Sequence, residues 1–117
     1  MRDNEIRELE QIALECHRGI NSLHARLLRA IAGIAARSDG RSRSESVALL
    51  LTWSSIWAAD QVALAQGVVE RLPASLAAME RGEIDLYKVR TVHELTMNLT
   101  PELARQVEDR VLEKAAE

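Results

Sequence analysis

Aromatic residues, proline, glycine and cysteine are all scarce in this chain. It has no phenylalanine, aromatics make up 3% of its 117 residues, and it contains two prolines, five glycines and one cysteine. Strands favour β-branched and aromatic side chains, whereas the apolar residues here are largely alanine and leucine, which favour closely packed helices. The composition therefore predicts an all-α protein of one domain, residues 1–117, with a single hydrophobic core.

The chain also lacks an excess of positive charge, a long apolar run and a second cysteine. A net charge of -3 gives no global attraction to nucleic acid. The single Cys16 cannot form an intramolecular disulfide, which fits a reducing compartment. No apolar run approaches the ~20 residues of a membrane span, and the polar N-terminus does not resemble a signal peptide. We expect a cytoplasmic protein with no membrane partner.

A long helix is predicted over residues 3–37, where apolar residues recur at alternating steps of three and four. This spacing is a heptad seam, which is typical of helices that pair with another helix. The seam consists of Ile6, Leu9, Ala13, Cys16, Ile20, Leu23, Leu27, Ala30 and Ile34. A helix of about 50 Å is longer than a core built from short helices. We therefore expect part of the seam to pack on a second copy, as a homodimer, or on a missing part of the protein. Alternatively, the helix breaks near Gly19 or Gly33 and folds back on itself.

The remaining residues, 42–117, predict a compact cluster of about five shorter helices. Gly40 is a candidate C-terminal residue for the long helix, and Pro73, Asp85 and Pro101 each suit a helix start. The first two short helices have the dimensions of a helix-turn-helix. In that interpretation the second helix presents Ser54, Ser55 and Gln61 to base edges and phosphates.

Three motifs in this region carry a resemblance to a known family. They are Leu72-Pro73-Ala74, Gly82-Glu83-Ile84-Asp85-Leu86 and Leu99-Thr100-Pro101-Glu102-Leu103-Ala104. Their order and spacing resemble the 13E12 repeat family, also called domain of unknown function 222. Many members carry a C-terminal HNH nuclease domain, so the resemblance implies a nuclease-associated helical module. The HNH motif needs two histidines and an asparagine around a metal, and no histidine follows His93, so that activity does not carry over.

A looser similarity, to the central helix-turn-helix domain of ParB-type partition proteins, is carried by Ser42-Arg43-Ser44, Leu72-Pro73 and Gly82-Glu83-Ile84. That similarity implies double-stranded DNA as a partner. Residues 44–70 argue against the second helix of the turn as the DNA reader, because they contain Glu45, Asp60 and Glu70 and no lysine or arginine. Affinity for DNA depends mainly on neutralising phosphates.

Positive charge is concentrated instead around the second half of the long helix. Between Cys16 and Arg43 the only acid is Asp39, and the basic residues are Arg18, Arg26, Arg29, Arg37, Arg41 and Arg43, a balance of +5. At about 100° per residue the first four fall within about a third of the helix circumference, opposite the seam. They form either an ordinary solvated face or a phosphate-binding surface.

No pattern in the sequence predicts a catalytic, metal or cofactor site. Cys16, His17 and His24 lack the spacing of three or four residues that zinc ligands on one helix show, and no nucleophile or phosphate-loop motif is present. We therefore expect a non-catalytic, DNA-binding helical module with no small-molecule substrate. The alternative is a protein–protein dimerisation module without DNA contact.

Overall fold

The computed structural model describes residues 2–39 and 42–116, and within these ranges it contains six helices and no strand. The helices are α1 (Arg2–Ala36), α2 (Ser42–Leu51), α3 (Ser55–Arg71), α4 (Pro73–Glu80), α5 (Leu86–Thr96) and α6 (Pro101–Ala116). The predicted all-α fold, with one long N-terminal helix and a bundle of shorter ones, is confirmed. Gly40, the predicted C-terminal residue of the long helix, lies outside the described residues.

α1 is one continuous helix of 35 residues. The alternative in which it breaks near Gly19 or Gly33 is wrong. A glycine inside a helix costs only about 1 kcal/mol relative to alanine, which the surrounding helix-forming residues tolerate. Nothing lies within 4 Å of the position where a Gly19 side chain would begin, so no packed neighbour forces a bend there. The long dimension of the molecule, 58 Å, reflects this helix.

The hydrophobic core lies where the second half of α1 packs against α3 and α4, with α5 closing one side. Apolar side chains of α1 to α5 are buried there, and Val111 and Leu112 of α6 pack against them. Its largest fully buried apolar members are Leu28, Ile31, Leu64, Leu72, Leu76, Met79, Val47, Val68, Val89 and Val92. Since α1 contributes to this core only from Asn21 onward, its first half extends beyond the bundle.

Local capping explains where the short helices begin. The Ser54 hydroxyl accepts a hydrogen bond from the backbone N–H of Trp57 (3.2 Å), and the Asp85 carboxylate accepts one from Lys88 (2.8 Å). Pro73 and Pro101 are the first residues of α4 and α6, where their missing N–H leaves no helical bond unmade. These starts match the sequence prediction.

α2 and α3 are joined by a three-residue turn and differ in direction by 113°. Thr52 closes α2 with a positive φ of 55°, a left-handed conformation that terminates a helix. Among the residues that the structure describes, no single helix combines the length and the apolar composition that crossing a membrane requires.

The turn between α4 and α5 determines where α1 leaves the bundle. Gly82 has φ +80° and lies directly against α1, so that a Cβ at this position would lie 2.9 Å from the Cβ of Arg18 and 3.1 Å from its carbonyl oxygen. Asn21, which is buried, donates its side-chain amide to the Gly82 carbonyl at 3.3 Å. Only glycine fits both the backbone conformation and this close approach. Residues before Arg18 extend past this contact.

Two polar side chains attach α6 and the preceding loop to the bundle. Glu108 is buried and accepts a hydrogen bond from the backbone N–H of Ser75 (2.7 Å), in the first turn of α4. A carboxylate is stabilised there by the unpaired N–H groups and the helix dipole. Arg71, at the end of α3, donates to the carbonyls of Thr96 (3.0 Å), Met97 (3.1 Å) and Leu99. These hydrogen bonds hold α6 against α4, and the loop before α6 against the end of α3.

Candidate functional site

The heptad seam of α1 faces solvent along most of its length. Every residue from 2 to 20 is exposed, and the seam side chains of Leu9, Ile20 and Leu27 have exposed fractions of 65%, 51% and 36%. Leu23 and Ala30, in the half of the helix that reaches the bundle, are exposed as well. Ile34 is the exception, because it is half-buried against the core. The unoccupied seam therefore runs from Ile6 to Ala30.

A different face of α1 packs on the bundle. Leu28 is 2% exposed while its neighbour Leu27 is 36% exposed. The residues of this core-facing stripe are Asn21, Ala25, Leu28, Ile31, Ala32 and Ala35. At about 100° per residue, the centre of this stripe lies roughly 120° around the helix from the centre of the seam. The second half of α1 is therefore apolar on two separate faces, and the fold of one chain uses only one of them.

The arginines predicted to share a face form the third side of α1, roughly 120° from both apolar stripes by the same helical spacing. Arg18 and Arg26 are exposed, and no carboxylate of residues 2–39 and 42–116 forms an ion pair with either. Arg29 differs, since its guanidinium pairs with Glu80 on α4. We name the exposed surface around Arg18 and Arg26 the arginine face.

The last two described arginines of the predicted set bond to backbone near the end of α1. Arg37 donates to the Gly33 carbonyl at 2.9 Å and Arg43 to the Ser38 carbonyl at 3.1 Å. A carbonyl partner leaves the positive charge uncompensated, so both still contribute to the local field. Arg41 lies outside the described residues. The described members of the predicted cluster therefore keep their charge except at Arg29, where Glu80 offsets it.

The side chains predicted to contact DNA at the N-terminal end of α3 differ in accessibility. Gln61 is 4% exposed and donates to Asp60 at 3.2 Å, so the predicted base contact from its side chain is wrong. Ser54 and Ser55 are both exposed, and the Ser54 hydroxyl is engaged in capping α3. Ile56, 86% exposed, is the most prominent side chain nearby.

That same region of α2 and α3 forms an exposed apolar surface that the sequence reasoning missed. Leu49, Leu50 and Ile56 are exposed, and Trp57 packs edge-to-face on the half-buried Trp53 with ring centroids 6.3 Å apart. A signal was present in the run Leu49-Leu50-Leu51, because three consecutive residues on one helix point in three directions and cannot all reach one core. Only Leu51 packs against the core.

A polar cluster between α3 and α5 has a structural role. Arg90 bonds both carboxylate oxygens of Asp60 (2.7 and 3.3 Å), and these hydrogen bonds hold the pKa of Asp60 below its usual value. Burial, reinforced by the positive charges of Arg71 and Arg90, lowers the pKa of His93. The imidazole lies directly against Gly67, where a side chain would collide with the ring. His93 is thus a neutral packing residue at neutral pH.

The described residues contain no group of three histidine, cysteine or acidic side chains placed to hold a metal ion. Cys16 is exposed on α1. His24 lies half-buried farther along the helix, with its Nδ1 lacking a hydrogen-bond partner among the described residues. The surfaces with functional potential are therefore the free seam, the arginine face and the apolar α2–α3 surface.

Comparison with known proteins gives one family match. The model of the family described as Domain of unknown function (DUF222) matches residues 6–117, which span all six helices. No curated protein and no solved structure matches the chain. The looser similarity to ParB-type partition proteins finds no support in these comparisons.

Proposed function

We propose that this chain, which belongs to the DUF222 family, is a non-catalytic association module that pairs with a second copy of itself through the seam of α1. The observation that carries the proposal is the free apolar stripe from Ile6 to Ala30. It remains exposed although the adjacent stripe of the same helix fills the core. The family itself is defined without an assigned activity.

Pairing through the seam is favourable because it removes apolar side-chain area from water. Burying a leucine or isoleucine side chain fully stabilises by about 1.5–3 kcal/mol, and a symmetric pair buries each seam position twice. Association costs about 4–15 kcal/mol in lost freedom of motion, which several such positions offset. Contiguous apolar surface of this extent is uncommon on monomers and marks interaction sites. Self-pairing also needs no partner other than the chain itself.

The test is the native mass measured by sedimentation or light scattering between roughly 1 and 100 μM, the range in which micromolar pairing is visible. We expect a dimer that dissociates on dilution. The double substitution Ile20→Asp with Leu27→Asp places charges in the seam and should give a monomer. Leu14→Asp is the matched control, because Leu14 is apolar and exposed on the same helix but lies outside the seam.

Two results would contradict the pairing proposal. A wild-type chain that stays monomeric at roughly 100 μM has no interface of useful affinity. A double variant that keeps the dimer mass, with a circular dichroism spectrum like that of the wild type, would place the interface on another surface, of which the α2–α3 surface is the next candidate.

We propose nucleic-acid contact as a second function, favoured by the arginine face. Arg18 and Arg26 project from a side of α1 that neither the core nor the seam occupies, and Arg37 and Arg43 add positive charge towards the end of the helix. Exposed guanidinium groups bind phosphates in double-stranded DNA without sequence preference. The HNH nuclease domains implied by the family resemblance would make such holding of DNA useful. α3 contributes little to this contact because it presents Ile56 and Trp57.

Binding to duplex DNA is tested by titration at about 50 mM salt and again at about 200 mM, because phosphate contacts weaken steeply with salt. Replacing Arg18 and Arg26 with alanine should weaken binding and reduce the slope of log affinity against log salt by about two. Arg2→Ala with Arg7→Ala is the control, since it removes the same charge from the acidic end of α1. Equal losses in both double variants would show that net charge matters rather than the arginine face.

The absence of binding by the wild type at low salt and micromolar protein would exclude the nucleic-acid function for this chain. Pairing would be unaffected by that result, since the seam and the arginine face are separate sides of α1. The proposal places the module in the cytoplasm, where an exposed Cys16 thiol stays reduced.

A further inference from the structure

We infer that the two α1 helices pair antiparallel, so that the acidic first half of one lies on the basic second half of the other. The inference deepens the proposed self-pairing and rests on it. The free seam then packs against the same seam of a second copy that runs in the opposite direction. In the proposed register, the numbers of two residues that face each other add up to 36.

The charge distribution along α1 supports this direction. Residues 2–15 carry Arg2 and Arg7 against five acids, a balance of -3, the acids being Asp3, Glu5, Glu8, Glu10 and Glu15. Residues 16–37 carry four arginines and no acid, a balance of +4, although Arg29 already pairs with Glu80. Parallel pairing would bring each half against its own copy, and so like net charge against like, whereas antiparallel pairing brings halves of opposite net charge together.

The extent of the free seam sets the register. Ile34 is half-buried in its own core, so the stripe available to a partner ends at Ala30 and begins at Ile6. Two such stripes overlap completely in the antiparallel sense when Ile6 faces Ala30. Since the seam alternates steps of three and four, every other seam position then also meets a seam position. The facing pairs are Ile6–Ala30, Leu9–Leu27, Ala13–Leu23 and Cys16–Ile20.

The volumes of the seam side chains also favour antiparallel pairing in this register. In this register each small residue faces a large one, Ala30 against Ile6 and Ala13 against Leu23, so that no layer of the pair consists of two alanines. A parallel pair in register would set Ala13 on Ala13 and Ala30 on Ala30, leaving gaps between wider leucine layers. Interfaces pack to the density of protein interiors, and such gaps are destabilising.

The shape of the monomer allows this arrangement. α1 leaves its bundle at the Gly82 contact with Arg18, and residues 2–17 extend with every side chain exposed. In the antiparallel pair this projecting half lies along the seam of the partner's second half, beside the partner's bundle. The two bundles then sit at opposite ends of the pair, and the arginine face, roughly 120° from the seam, stays open.

Disulfide trapping tests both the direction and the register, using full-length chain in a Cys16→Ala background. Leu9→Cys and Leu27→Cys are prepared separately and oxidised under mild conditions. In the proposed register the two substituted positions face each other, whereas position 9 lies about 27 Å from its own copy, far beyond the roughly 7 Å that a disulfide spans. We expect a disulfide-linked dimer from an equal mixture of the two variants and none from either variant alone.

Leu14→Cys mixed with Leu27→Cys is the control for random collision, because position 14 is exposed but outside the seam, and it should remain unlinked. Linkage of Leu9→Cys alone would show a parallel pair and overturn the inference while leaving self-pairing intact. A dimer mass with no linkage in any mixture would overturn the direction and register together. A monomer mass for the Cys16→Ala chain and for the wild type would instead remove the self-pairing proposal itself.

Discussion

The two halves of α1 carry the same heptad pattern but have different surroundings. Residues 2–20 are exposed on every side, whereas residues 21–36 have one face in the core, one apolar face in solvent and one side rich in arginine. The difference begins at the contact between Arg18 and Gly82. A periodic apolar stripe therefore predicts that a helix has a partner, but it does not tell which part of the stripe meets the chain's own core.

α1 carries two kinds of apolar surface. The core-facing stripe is rich in alanine, with Ala25, Ala32 and Ala35 allowing α1 to approach the bundle closely. The free seam is richer in leucine and isoleucine, which project farther from the helix axis. The alanine-rich stripe is therefore the one that packs in the bundle, and the stripe with the larger side chains remains exposed and available for association.

Amide hydrogen exchange should give the largest contrast between the halves. In dilute, monomeric protein, we expect amides of residues 6–16 to open with free energies near zero, because every one of these residues is exposed. Those of residues 25–35 should approach the global unfolding value, several kcal/mol higher. Raising the concentration should protect residues 6–16 as pairs form. Equal protection of both halves in dilute protein would contradict the structural contrast.

The next largest effect is the difference in stability between alanine variants of two adjacent leucines, Leu27 and Leu28. Leu28→Ala should lower the free energy of unfolding by about 2–5 kcal/mol, because it leaves a cavity in the core. Leu27→Ala, one residue away on the free seam, should change the stability of the dilute monomer by less than about 1 kcal/mol. Urea denaturation at low protein concentration measures both. Similar losses for the two variants would mean that the seam already packs within the monomer.

Alanine substitutions at Gly82, in the turn that contacts α1, and at Gly19, within α1, should change the free energy of unfolding in opposite directions. Gly82→Ala puts a side chain at φ +80° and against Arg18, which we expect to cost about 1–3 kcal/mol. Gly19→Ala meets nothing within 4 Å and should stabilise the helix by about 0.5–1 kcal/mol. Thermal unfolding followed by circular dichroism distinguishes them. A stabilising Gly82→Ala would show that α1 does not approach the turn so closely.

The smallest expected effect concerns the arginines of the second half. Arg29→Ala removes the ion pair with Glu80, and because both side chains are partly exposed the loss should be at most about 1 kcal/mol. Arg26→Ala, which has no acidic partner among the described residues, should be neutral within about 0.5 kcal/mol. Urea denaturation at low and high salt resolves the difference, which should shrink as salt screens the pair.

Several parts of the candidate site could be read from the sequence and others could not. The seam spacing and the sharing of one helix face by Arg18, Arg26 and Arg29 follow from helical periodicity alone. The pairing of Arg29 with Glu80 joins residues 51 positions apart, and the burial of Gln61 depends on how α3 packs. Neither the ion pair nor the burial of Gln61 can be predicted from the local sequence, because the residues involved come together only when the chain folds.

Local sequence was enough to predict where several helices begin, since a cap such as Asp85 bonds a backbone N–H three residues away, and proline at position 73 or 101 acts on its own backbone. It was also enough to predict that α1 is amphipathic, because that depends only on residue spacing. Which of the two apolar stripes on α1 enters the core, and where the helix leaves the bundle, followed only from the packing of the whole chain. That choice depends on side-chain volumes contributed by α3, α4 and the Gly82 turn, which meet α1 only after the chain has folded.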